Sequence, residues 1–354
     1  MADHRKFPYT SFPTGWYQVA WGDEITDTPK PLRYFETPLV AFRGESGRAQ
    51  VFNAMCPHMG AHLGWGGTVV GDGIECPYHG WQFDAEGKNC LIPYAERPNR
   101  TKIRKWHVEE VGSLVLVWFD QKDRAPLFPP VEVPEFADTE NFLAPAETRK
   151  NYENVFLKPQ FITENLVDAA HQKFVHRAAE IPEIYRCEAD GPTFHVDSTI
   201  IFGNGKNKKT WLTPDGKPLA AALRTTSAGV GIAVARFEID GSVHIQCTTP
   251  VDHERCDSRQ TVLVPMNEVE DGRPTEKAIK RFHHELIQFE RDLVIWEHQE
   301  YVHPVPYPHL ERDRFRAFRN WTSQFYPEAE PGHFGRYRTD DTTEAIRPVA
   351  QTSA

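Results

Sequence analysis

Two short stretches, Cys56-Pro-His58 and Cys76-Pro-Tyr-His79-Gly-Trp81, decide how the N-terminal third of this chain folds. The first reads Cys-x-His, the second reads Cys-x-x-His, and seventeen residues separate them. Each stretch brings one thiol and one imidazole, with a glycine close by, which is typical of a loop that holds a metal. Together the two loops supply two thiolates and two imidazoles to one site.

These four side chains match the donor set of a Rieske [2Fe–2S] centre. In that interpretation Cys56 and Cys76 bind one iron, while His58 and His79 bind the other. A structural zinc site is the alternative for the same residues. Zinc sites usually leave about two to four residues between the first two ligands, whereas a single residue separates Cys56 from His58, so the spacing favours the cluster. A Rieske centre carries single electrons, which predicts a redox protein.

Composition limits the class of protein further. The chain has 354 residues, of which 40% are hydrophobic and 12% aromatic, enough for two domains with ordinary cores. A net charge of −10 gives no basic field for phosphates, so nucleic-acid binding is not expected. No apolar run approaches the ~18–20 residues of a membrane helix, and no secretory signal is seen. The six cysteines share no disulfide-type spacing, and a cytoplasmic protein without a membrane span is predicted.

The N-terminal part reads as a small antiparallel β domain, residues 1–125. Short β-rich runs such as Ser113–Phe119 alternate with turns there, and the metal loops are expected at the tips. The proline-rich residues 126–150 are predicted to be a semi-rigid connector. A catalytic domain is predicted over residues 151–340, followed by a flexible tail over 341–354.

In the second domain β-rich and helical patterns follow one another, which predicts an α+β fold. Residues 156–180 look helical, and β-rich runs such as Val243–Thr249 follow up to residue 265. Residues 274–301 repeat their apolar positions at helical spacing. We therefore expect an antiparallel sheet covered by helices, of the helix-grip type. The stretch Ala220–Val234 is a candidate pocket wall, although its two glycines more readily indicate a turn or bulge.

A second group of metal-ligand residues lies in Asn165-Leu-Val-Asp168-Ala-Ala-His171-Gln-Lys-Phe-Val-His176. Two histidines and a carboxylate are the donors of a mononuclear non-haem Fe(II) site. His171 and His176 are about 140° apart around an ideal helix, so both reach one metal only if the helix ends or bends near residues 173–175. An amphipathic helix with two surface histidines is the alternative. The upstream cluster motif favours the iron site, because a one-electron carrier needs an acceptor.

With both patterns present, the chain resembles the oxygenase α-subunits of the Rieske non-haem iron oxygenases over most of its length. That family carries Cys-x-His and Cys-x-x-His, then Asn-x-x-Asp-x-x-His-x4-His, and this sequence contains them without a substitution. The resemblance implies that His171 and His176 bind the iron. It also implies that Asp168, with Asn165 beside it as a second catalytic residue, links the iron site to a Rieske histidine of a neighbouring subunit.

The resemblance implies a third iron ligand, a carboxylate on the last predicted helix. Helical phase alone leaves Glu285, Glu290, Asp292 and Glu297 open. Asp292 is preferred because Asp-Leu-Val-Ile-Trp resembles the segment that holds this ligand in steroid-acting members.

Within the family, the chain is most similar to the 3-ketosteroid 9α-hydroxylase oxygenase components and the cholesterol 7-desaturases. The similarity rests on Phe12–Trp16, Cys56–Leu63, Gly71–Phe83, Ile92–Tyr94 and Trp106. It implies a terminal oxygenase that uses O₂, and electrons that reach it from NAD(P)H only through a separate reductase or ferredoxin, to hydroxylate a steroid-like apolar substrate. It also implies a head-to-tail homotrimer. A desaturase or demethylase for another bulky substrate stays open, as does an electron-transfer protein without an oxygenase site.

Overall fold

The computed structural model of this chain describes residues 7–326, apart from Pro8, Ala179, residues 203–218 and Pro304. The tail predicted over 341–354 lies outside the described residues. No helix in the described part is long and apolar enough to cross a membrane. The fold is α+β as predicted, with a β domain first and a mixed domain of strands and few helices after it.

The N-terminal domain consists of short antiparallel strands in three small sheets. The strands are β1 (Gly15–Trp21), β2 (Lys30–Tyr34), β3 (Thr37–Arg43), β4 (Ala49–Asn53), β5 (Thr68–Val70), β6 (Gly73–Glu75), β7 (Gln82–Phe83), β8 (Asn89–Leu91), β9 (Val108–Val111) and β10 (Leu114–Phe119). Their orders are β1-β10-β9, β2-β3-β4 and β5-β6-β7-β8. One metal loop follows β4 and the other joins β6 to β7. A core that includes the fully buried Phe42, Phe52 and Leu63 lies beneath both loops.

One large antiparallel sheet forms the centre of the second domain. Its strands are β11 (Phe142–Leu143), β12 (Arg149–Val155), β13 (Glu183–Asp190), β14 (Thr193–Phe202), β15 (Leu219–Ala228), β16 (Ile232–Phe237), β17 (Val243–Pro250) and β18 (Cys256–Pro265). The order is β11-β18-β17-β16-β15-β14-β13, and β12 also pairs with β18. A small hairpin, β19 (Val269–Glu270) and β20 (Arg273–Pro274), follows. The helices are α1 (Pro159–Glu164), α2 (Ala169–Phe174), α3 (Glu276–Trp296) and α4 (His309–Ser323).

The two faces of this sheet have different neighbours. Successive residues of a strand point to opposite faces, and one face carries Val234, Ile245 and Leu263. These side chains pack against Trp16 and Trp118 of the N-terminal domain in one hydrophobic cluster. The N-terminal domain therefore covers that face of the sheet.

Helix α3 covers the opposite face. Its apolar residues Phe282, Phe289 and Trp296 recur every seven positions and are all buried, so one stripe of the helix faces the sheet. Thr275 caps its first turn by accepting a hydrogen bond from the Ala278 N–H at 3.3 Å. The helix thus holds its carboxylates at fixed positions above the sheet.

Residues 126–150, predicted as a connector, are packed into the structure. The Trp16 indole donates a hydrogen bond to the Phe128 carbonyl at 2.9 Å, and Arg236 forms an ion pair with Glu135. Strand β11, within the same stretch, pairs with β18. The proline pattern did not predict that the apolar side chains between the prolines are buried in the cluster that joins the two domains.

The glycines of the candidate pocket wall form a turn and a close contact. Gly229 has a φ of +59° between β15 and β16, and a Cβ on Gly231 would lie 2.6 Å from the Tyr17 ring. Neither residue lines the cavity described below. The turn interpretation of these glycines is therefore the one that holds.

Candidate metal centres

The two loops of the N-terminal domain share one pattern of backbone hydrogen bonds. In each, the cysteine N–H donates to the carbonyl five residues later, and the glycine N–H donates to the cysteine carbonyl. The bonds are Cys56 N to Ala61 O at 2.8 Å, Gly60 N to Cys56 O at 2.9 Å, Cys76 N to Trp81 O at 2.8 Å and Gly80 N to Cys76 O at 3.0 Å. Gly60 and Gly80 have φ angles of +72° and +68°, a conformation that glycine adopts without steric cost. The loops are two copies of one turn.

The side chains of these turns converge on one site. Cys56 and Cys76 are each 2% exposed and form no disulfide. Burial, with a smaller effect of the neighbouring Cys76 thiol, raises the pKa of Cys56 to about 11. Two adjacent thiols in this environment become thiolates only when a cation binds them.

The two histidines lie side by side next to the thiols. The ring centroids of His58 and His79 are 4.6 Å apart. His58 stacks on Trp81 at 4.5 Å, and the Trp81 indole is held by a 2.7 Å hydrogen bond to Tyr94. Nδ1 of His58 is buried and has no hydrogen-bond partner in the described part of the chain. A buried ring nitrogen of this kind is explained by a ligand such as iron, so the four residues fit a [2Fe–2S] cluster.

The second site lies where the chain breaks into short helices, and here the helical prediction for residues 156–180 needs correction. Helix α1 ends at Glu164, a 3₁₀ turn follows over Asn165–Val167, and α2 starts at Ala169. The break occurs at Asp168, whose backbone is not helical (φ −91°, ψ 89°). Its carboxylate Oδ1 accepts a hydrogen bond from the His171 N–H at 3.2 Å. Asp168 is therefore the N-cap of α2, a role that competes with helix continuation.

Helix α2 ends near residues 173–175, which is the condition under which both histidines can reach one metal. The N–H groups of Val175 and His176 both donate to the His171 carbonyl, at 2.7 and 3.4 Å, and Arg177 has a φ of +59°. The chain turns back on itself at that point. The rings of His171 and His176 then meet edge to face, with centroids 5.0 Å apart.

Asp292 of α3 completes a group of three potential metal ligands. One ligand atom from each of His171, His176 and Asp292 lies within 4.8 Å of the others, and His176 Nε2 is 3.2 Å from Asp292 Oδ2. A metal with bonds of about 2.1 Å places adjacent ligands roughly 3 Å apart. The group fits a 2-His-1-carboxylate site, which leaves coordination positions open.

The other carboxylates considered for the third ligand have different surroundings. Glu285 lies two turns earlier on α3, where its carboxylate is 3.5 Å from His244. Glu290 accepts a hydrogen bond from the Tyr152 hydroxyl at 3.1 Å, and Glu297 is the C-cap of the helix. Only Asp292 of the four meets both histidines.

Hydrogen bonding determines which ring nitrogen of His171 is available to bind a metal. Its Nδ1 hydrogen bonds to the Asp168 carbonyl, so Nδ1 carries the proton and Nε2 presents its lone pair. Burial lowers the pKa of His171, which favours the neutral ring. The amide nitrogens of Asn165 and Gln172 lie 3.1 and 2.9 Å from Nε2. Gln172 was not predicted, and its only signal in the sequence is its place beside His171.

The Asp168 carboxylate also lies near the His171 ring. Its Oδ1 is 4.0 Å from His171 Nδ1, and its side chain stays 31% exposed. Asp168 thus also acts as a helix cap in the structure. An exposed carboxylate can cap α2 and still accept a hydrogen bond from a partner.

A cavity of about 220 Å³ opens beside the three ligands, between α3 and the sheet. Most of its wall is apolar, and Leu223, Thr225 and Ala233 of the predicted wall contribute to it. Further apolar side chains come from both layers, among them Ile162, Val196, Ile200, Ala235, Phe282 and Phe289. Polar residues also line it, among them His244, Gln246, Gln260, Glu285 and Gln288. The site can hold a largely apolar molecule next to a metal.

Comparison with known proteins defines the class. Residues 15–111 match the Rieske [2Fe-2S] domain. The crystal structure of apo dicamba monooxygenase superposes with a TM-score of 0.66 at 18% identity, over 89% of this chain and 98% of that one. A caffeine-bound structure from Pseudomonas putida gives a TM-score of 0.63 at 19% identity, over 87% and 89%. The fold, the family match and the two donor sets define a Rieske non-haem iron oxygenase.

The particular family follows from the second domain. Residues 117–326 match the 3-ketosteroid 9alpha-hydroxylase C-terminal domain, and the chain belongs to this family. A cholesterol 7-desaturase of Ciona intestinalis is 28% identical over 90% of this chain and 70% of its own length. The 3-ketosteroid-9-alpha-monooxygenase oxygenase component of Mycolicibacterium smegmatis is 27% identical over 94% and 88%. The predicted family and the prediction of an oxygenase are confirmed, and the electron-carrier alternative is excluded.

Proposed function

We propose that this chain is the terminal oxygenase of a monooxygenase system that hydroxylates a steroid-like substrate. The observation that carries the proposal is the convergence of His171, His176 and Asp292 at an apolar cavity. The names of the relatives support a steroid skeleton, since both groups act on one. Desaturation is the second candidate, because the cholesterol 7-desaturases are as similar as the monooxygenases.

When the two iron groups are bound, the cluster supplies single electrons and the Fe(II) site activates O₂, so that one oxygen atom enters a C–H bond and the other leaves as water. His171 and His176 would hold the iron as neutral imidazoles, with Asp292 as the anionic ligand. Cys56, Cys76, His58 and His79 would hold the cluster. The chain's own residues therefore supply every protein ligand in this proposal.

The cavity would orient the substrate and keep water away from the reacting bond. Its apolar side chains, such as Val196, Ile200 and Phe282, give little reason for water to stay once an apolar molecule enters. Asn165 and Gln172 place two amide groups at the His171 side of the site. They would mark the polar edge of an otherwise apolar space, while the Asp168 carbonyl holds the His171 ring through Nδ1.

Electron delivery is proposed to occur between neighbouring copies of the chain. The N-terminal domain packs on one face of the large sheet, whereas Asp292 and α3 lie on the other. A route within one chain would have to cross that sheet. A head-to-tail homotrimer instead brings the cluster of one copy to the iron site of the next, and Asp168 would accept a hydrogen bond from the cluster histidine.

Exposed apolar side chains beside both sites support this arrangement. Beside the cluster loops, Met59 is 66% exposed and Tyr78 is 62% exposed. Beside the iron site, Phe174 is 75% exposed and Val294 is 63% exposed. Large apolar side chains exposed this far on two surfaces are typical of surfaces that meet. The same proposal includes a separate reductase or ferredoxin as electron donor. It also includes a cytoplasmic location, which the six unpaired cysteines support.

Turnover under ¹⁸O₂ tests the proposed activity. Iron-loaded protein is supplied with a surrogate reductase and NADH and offered a 3-ketosteroid and cholesterol, with product analysis by mass spectrometry. We expect one labelled oxygen atom in a hydroxylated steroid. A desaturated product without label would favour the second candidate. No steroid product from fully loaded protein would contradict the steroid substrate and leave the oxygenase class in place.

A further inference from the structure

An exposed tyrosine gives the cluster site a contact with the surface. The Trp81 indole stacks on His58 and donates a hydrogen bond to the Tyr94 hydroxyl at 2.7 Å. Trp81 itself is 8% exposed, whereas Tyr94 is 62% exposed. A Cβ on Gly80 would lie 3.0 Å from the Pro93 ring, so the chain just before Tyr94 lies directly on the second cluster loop. The side of the cluster site that carries His58 therefore reaches solvent at Tyr94.

The chain around Tyr94 is strongly basic. Six of the eighteen residues from 88 to 105 are lysine or arginine, and one is acidic. The whole chain has the opposite balance, with 50 acidic and 40 basic residues. Two of the six cations form ion pairs, Arg104 with Asp123 and Lys105 with Glu86. The other four are exposed and form no ion pair with any residue that the structure describes, namely Lys88, Arg97, Arg100 and Lys102. We call residues 88–102 the basic loop.

Hydrogen bonds hold the basic loop against β7, the strand that follows the second cluster loop. The buried side chain of Asn89 donates to the Gln82 carbonyl at 3.0 Å and accepts from the Asn99 N–H at 3.0 Å. The Asn89 N–H donates to the Thr101 carbonyl at 3.0 Å. Because β7 begins directly after the cluster loop, the exposed cations have a fixed place beside the cluster site.

Two of these cations lie directly opposite each other. Lys88 and Lys102 are the partners of an isolated antiparallel bridge, and directly opposed residues have Cβ atoms about 5 Å apart. Like charges in this position are unfavourable. The Asp84 carboxylate, in the adjacent turn, accepts hydrogen bonds from two backbone N–H groups at 2.9 Å each. A negatively charged partner placed against the lysine pair would replace repulsion by attraction.

Charge and position together define the kind of partner. A polyanion as large as a nucleic acid or a membrane meets the acidic remainder of the chain as well as the basic loop, and the net charge of −10 opposes it. A small acidic protein can meet the basic loop alone. Since the loop includes Tyr94, which connects the cluster site to solvent, a protein that docks there is placed to exchange electrons with the cluster.

We propose that the basic loop is the docking surface for an acidic one-electron carrier protein, the donor that reduces the cluster. One electron leaves the carrier and enters the cluster, and no bond forms or breaks. The ring of the other histidine, His79, contacts Tyr78, which leaves a different edge of the site for the next copy. This inference rests on the proposed function for the existence of a separate donor, and adds where the donor binds and which charge it carries.

Stopped-flow reduction tests the docking surface without steroid turnover. Anaerobic, iron-loaded full-length protein with an oxidised cluster is mixed with the hydroquinone of flavodoxin, an acidic one-electron carrier. The flavin hydroquinone anion loses one electron and becomes the neutral semiquinone, whose absorbance gives the rate. We expect the second-order rate constant of the wild type to fall by about 10-fold or more between about 0.02 M and about 0.5 M salt, because salt screens the attraction.

Charge reversal at the tip of the basic loop is the sharpest change. Arg97→Glu/Arg100→Glu should lower the low-salt rate constant roughly 10- to 100-fold and remove most of its salt dependence. Arg48→Glu/Arg273→Glu is the matched control, with the same change of net charge at exposed positions. Arg48 precedes β4, at the end of that strand away from the first cluster loop, and Arg273 lies in the hairpin of β19 and β20. The control should keep most of the wild-type rate constant.

A small uncharged reductant separates docking from effects on the cluster itself. Photoreduced 5-deazariboflavin should reduce the cluster at the same rate in the wild type, the loop variant and the control. Slower reduction of the loop variant by this reagent as well would place the effect in the cluster and overturn the docking surface. So would equal flavodoxin rate constants in the loop variant and the control, or a wild-type rate constant that does not change with salt.

Two further outcomes also decide the question. Binding to phosphatidylglycerol vesicles that is lost in the loop variant, with flavodoxin rates unchanged, would assign the basic loop to a membrane surface and overturn the proposal. If neither reductant reduced the cluster, the proposed function would fail and the docking surface with it. Failure of the steroid assignment alone would change none of these rates.

Discussion

The two metal sites of this chain are built in opposite ways. The cluster ligands lie within one short stretch, on two turns with the same backbone hydrogen bonds. The iron ligands come from α2, from the turn after it and from α3, with the side chains of His176 and Asp292 meeting at 3.2 Å. Local backbone geometry forms the first site, and packing of a helix on a sheet forms the second. The first should therefore tolerate changes in the second domain, whereas the second depends on each distant ligand.

The largest expected effect is the loss of the iron site alone. Asp292→Ala should remove the mononuclear iron and reduce turnover below detection, because two histidines without the carboxylate leave the metal weakly held. Iron per chain should fall from about three to about two, while the visible spectrum of the cluster is kept. Glu290→Ala is the matched control on the same helix. Three irons per chain in Asp292→Ala would show that this residue is not a ligand.

The next effect concerns Asp168, which belongs to the iron site and also caps a helix. Asn is as good an N-cap as Asp, so Asp168→Asn should keep both metals and the melting temperature. Turnover should fall roughly 10- to 100-fold, because the charged partner of the ligands is lost. Asp168→Ala, which also removes the cap, should in addition lower stability by about 1 kcal/mol. Unchanged turnover in Asp168→Asn would show that this residue acts only as a helix cap.

A smaller effect, on stability, is expected at Glu285, which lines the cavity beside His244. Burial raises the folded-state pKa of Glu285 to about 8, so its contribution to stability is fully present below pH 4.5 and is lost as the pH rises through 8. Glu285→Gln removes that titration. The stability of the wild type relative to this variant should therefore decline between pH 5 and pH 8, by up to roughly 4 kcal/mol. Chemical denaturation at both pH values measures the decline.

The contribution of His244 to the pH dependence of stability largely cancels when the wild type is compared with Glu285→Gln. Burial lowers the pKa of His244, so its contribution is present above pH 6.5 and is lost on acidification, in the variant as in the wild type. A constant difference between wild type and Glu285→Gln from pH 5 to pH 8 would show that Glu285 is ionised in the folded protein.

The smallest effect compares two glycines of the N-terminal domain. Gly60 and Gly47 both have a φ of +72° with no atom within 4 Å of an added Cβ, so alanine should cost about 1 kcal/mol of stability at each. Gly60 lies in a cluster loop, whereas Gly47 lies in the turn between β3 and β4. Only Gly60→Ala should shift the reduction potential of the cluster. Equal potentials in the two variants would argue against backbone control of the cluster loops.

The sequence predicted local features better than distant ones, for physical reasons. The cluster loops could be predicted from the sequence because their ligands and glycines lie within two short turns. The break at Asp168 was missed because a helical pattern does not show which carboxylate will cap a new helix. The end of α2 near residues 173–175 was predicted, since two ligands five apart cannot share a face.

Residues that line the cavity were the hardest to predict. The alternation over Val243–Thr249 predicted a half-buried strand, but the pattern does not show whether its polar face meets water or an internal cavity. Helical phase left four carboxylates open, because Glu285 and Asp292 share one face of α3 and both line the cavity. The burial of residues 126–150 was also missed, since prolines signal backbone stiffness and not the packing of side chains between them.

Mixed oligomers test the central claim most directly, namely that the cluster of one copy serves the iron site of the next. A cluster-deficient variant, His58→Ala, and an iron-site variant, His171→Ala, are each expected to be inactive alone. Co-expressed with different affinity tags and purified through both, they should regain a measurable fraction of wild-type turnover, because some neighbouring copies then pair an intact cluster with an intact iron site. Mixed oligomers as inactive as the separate variants would contradict the claim and indicate that electrons stay within one chain.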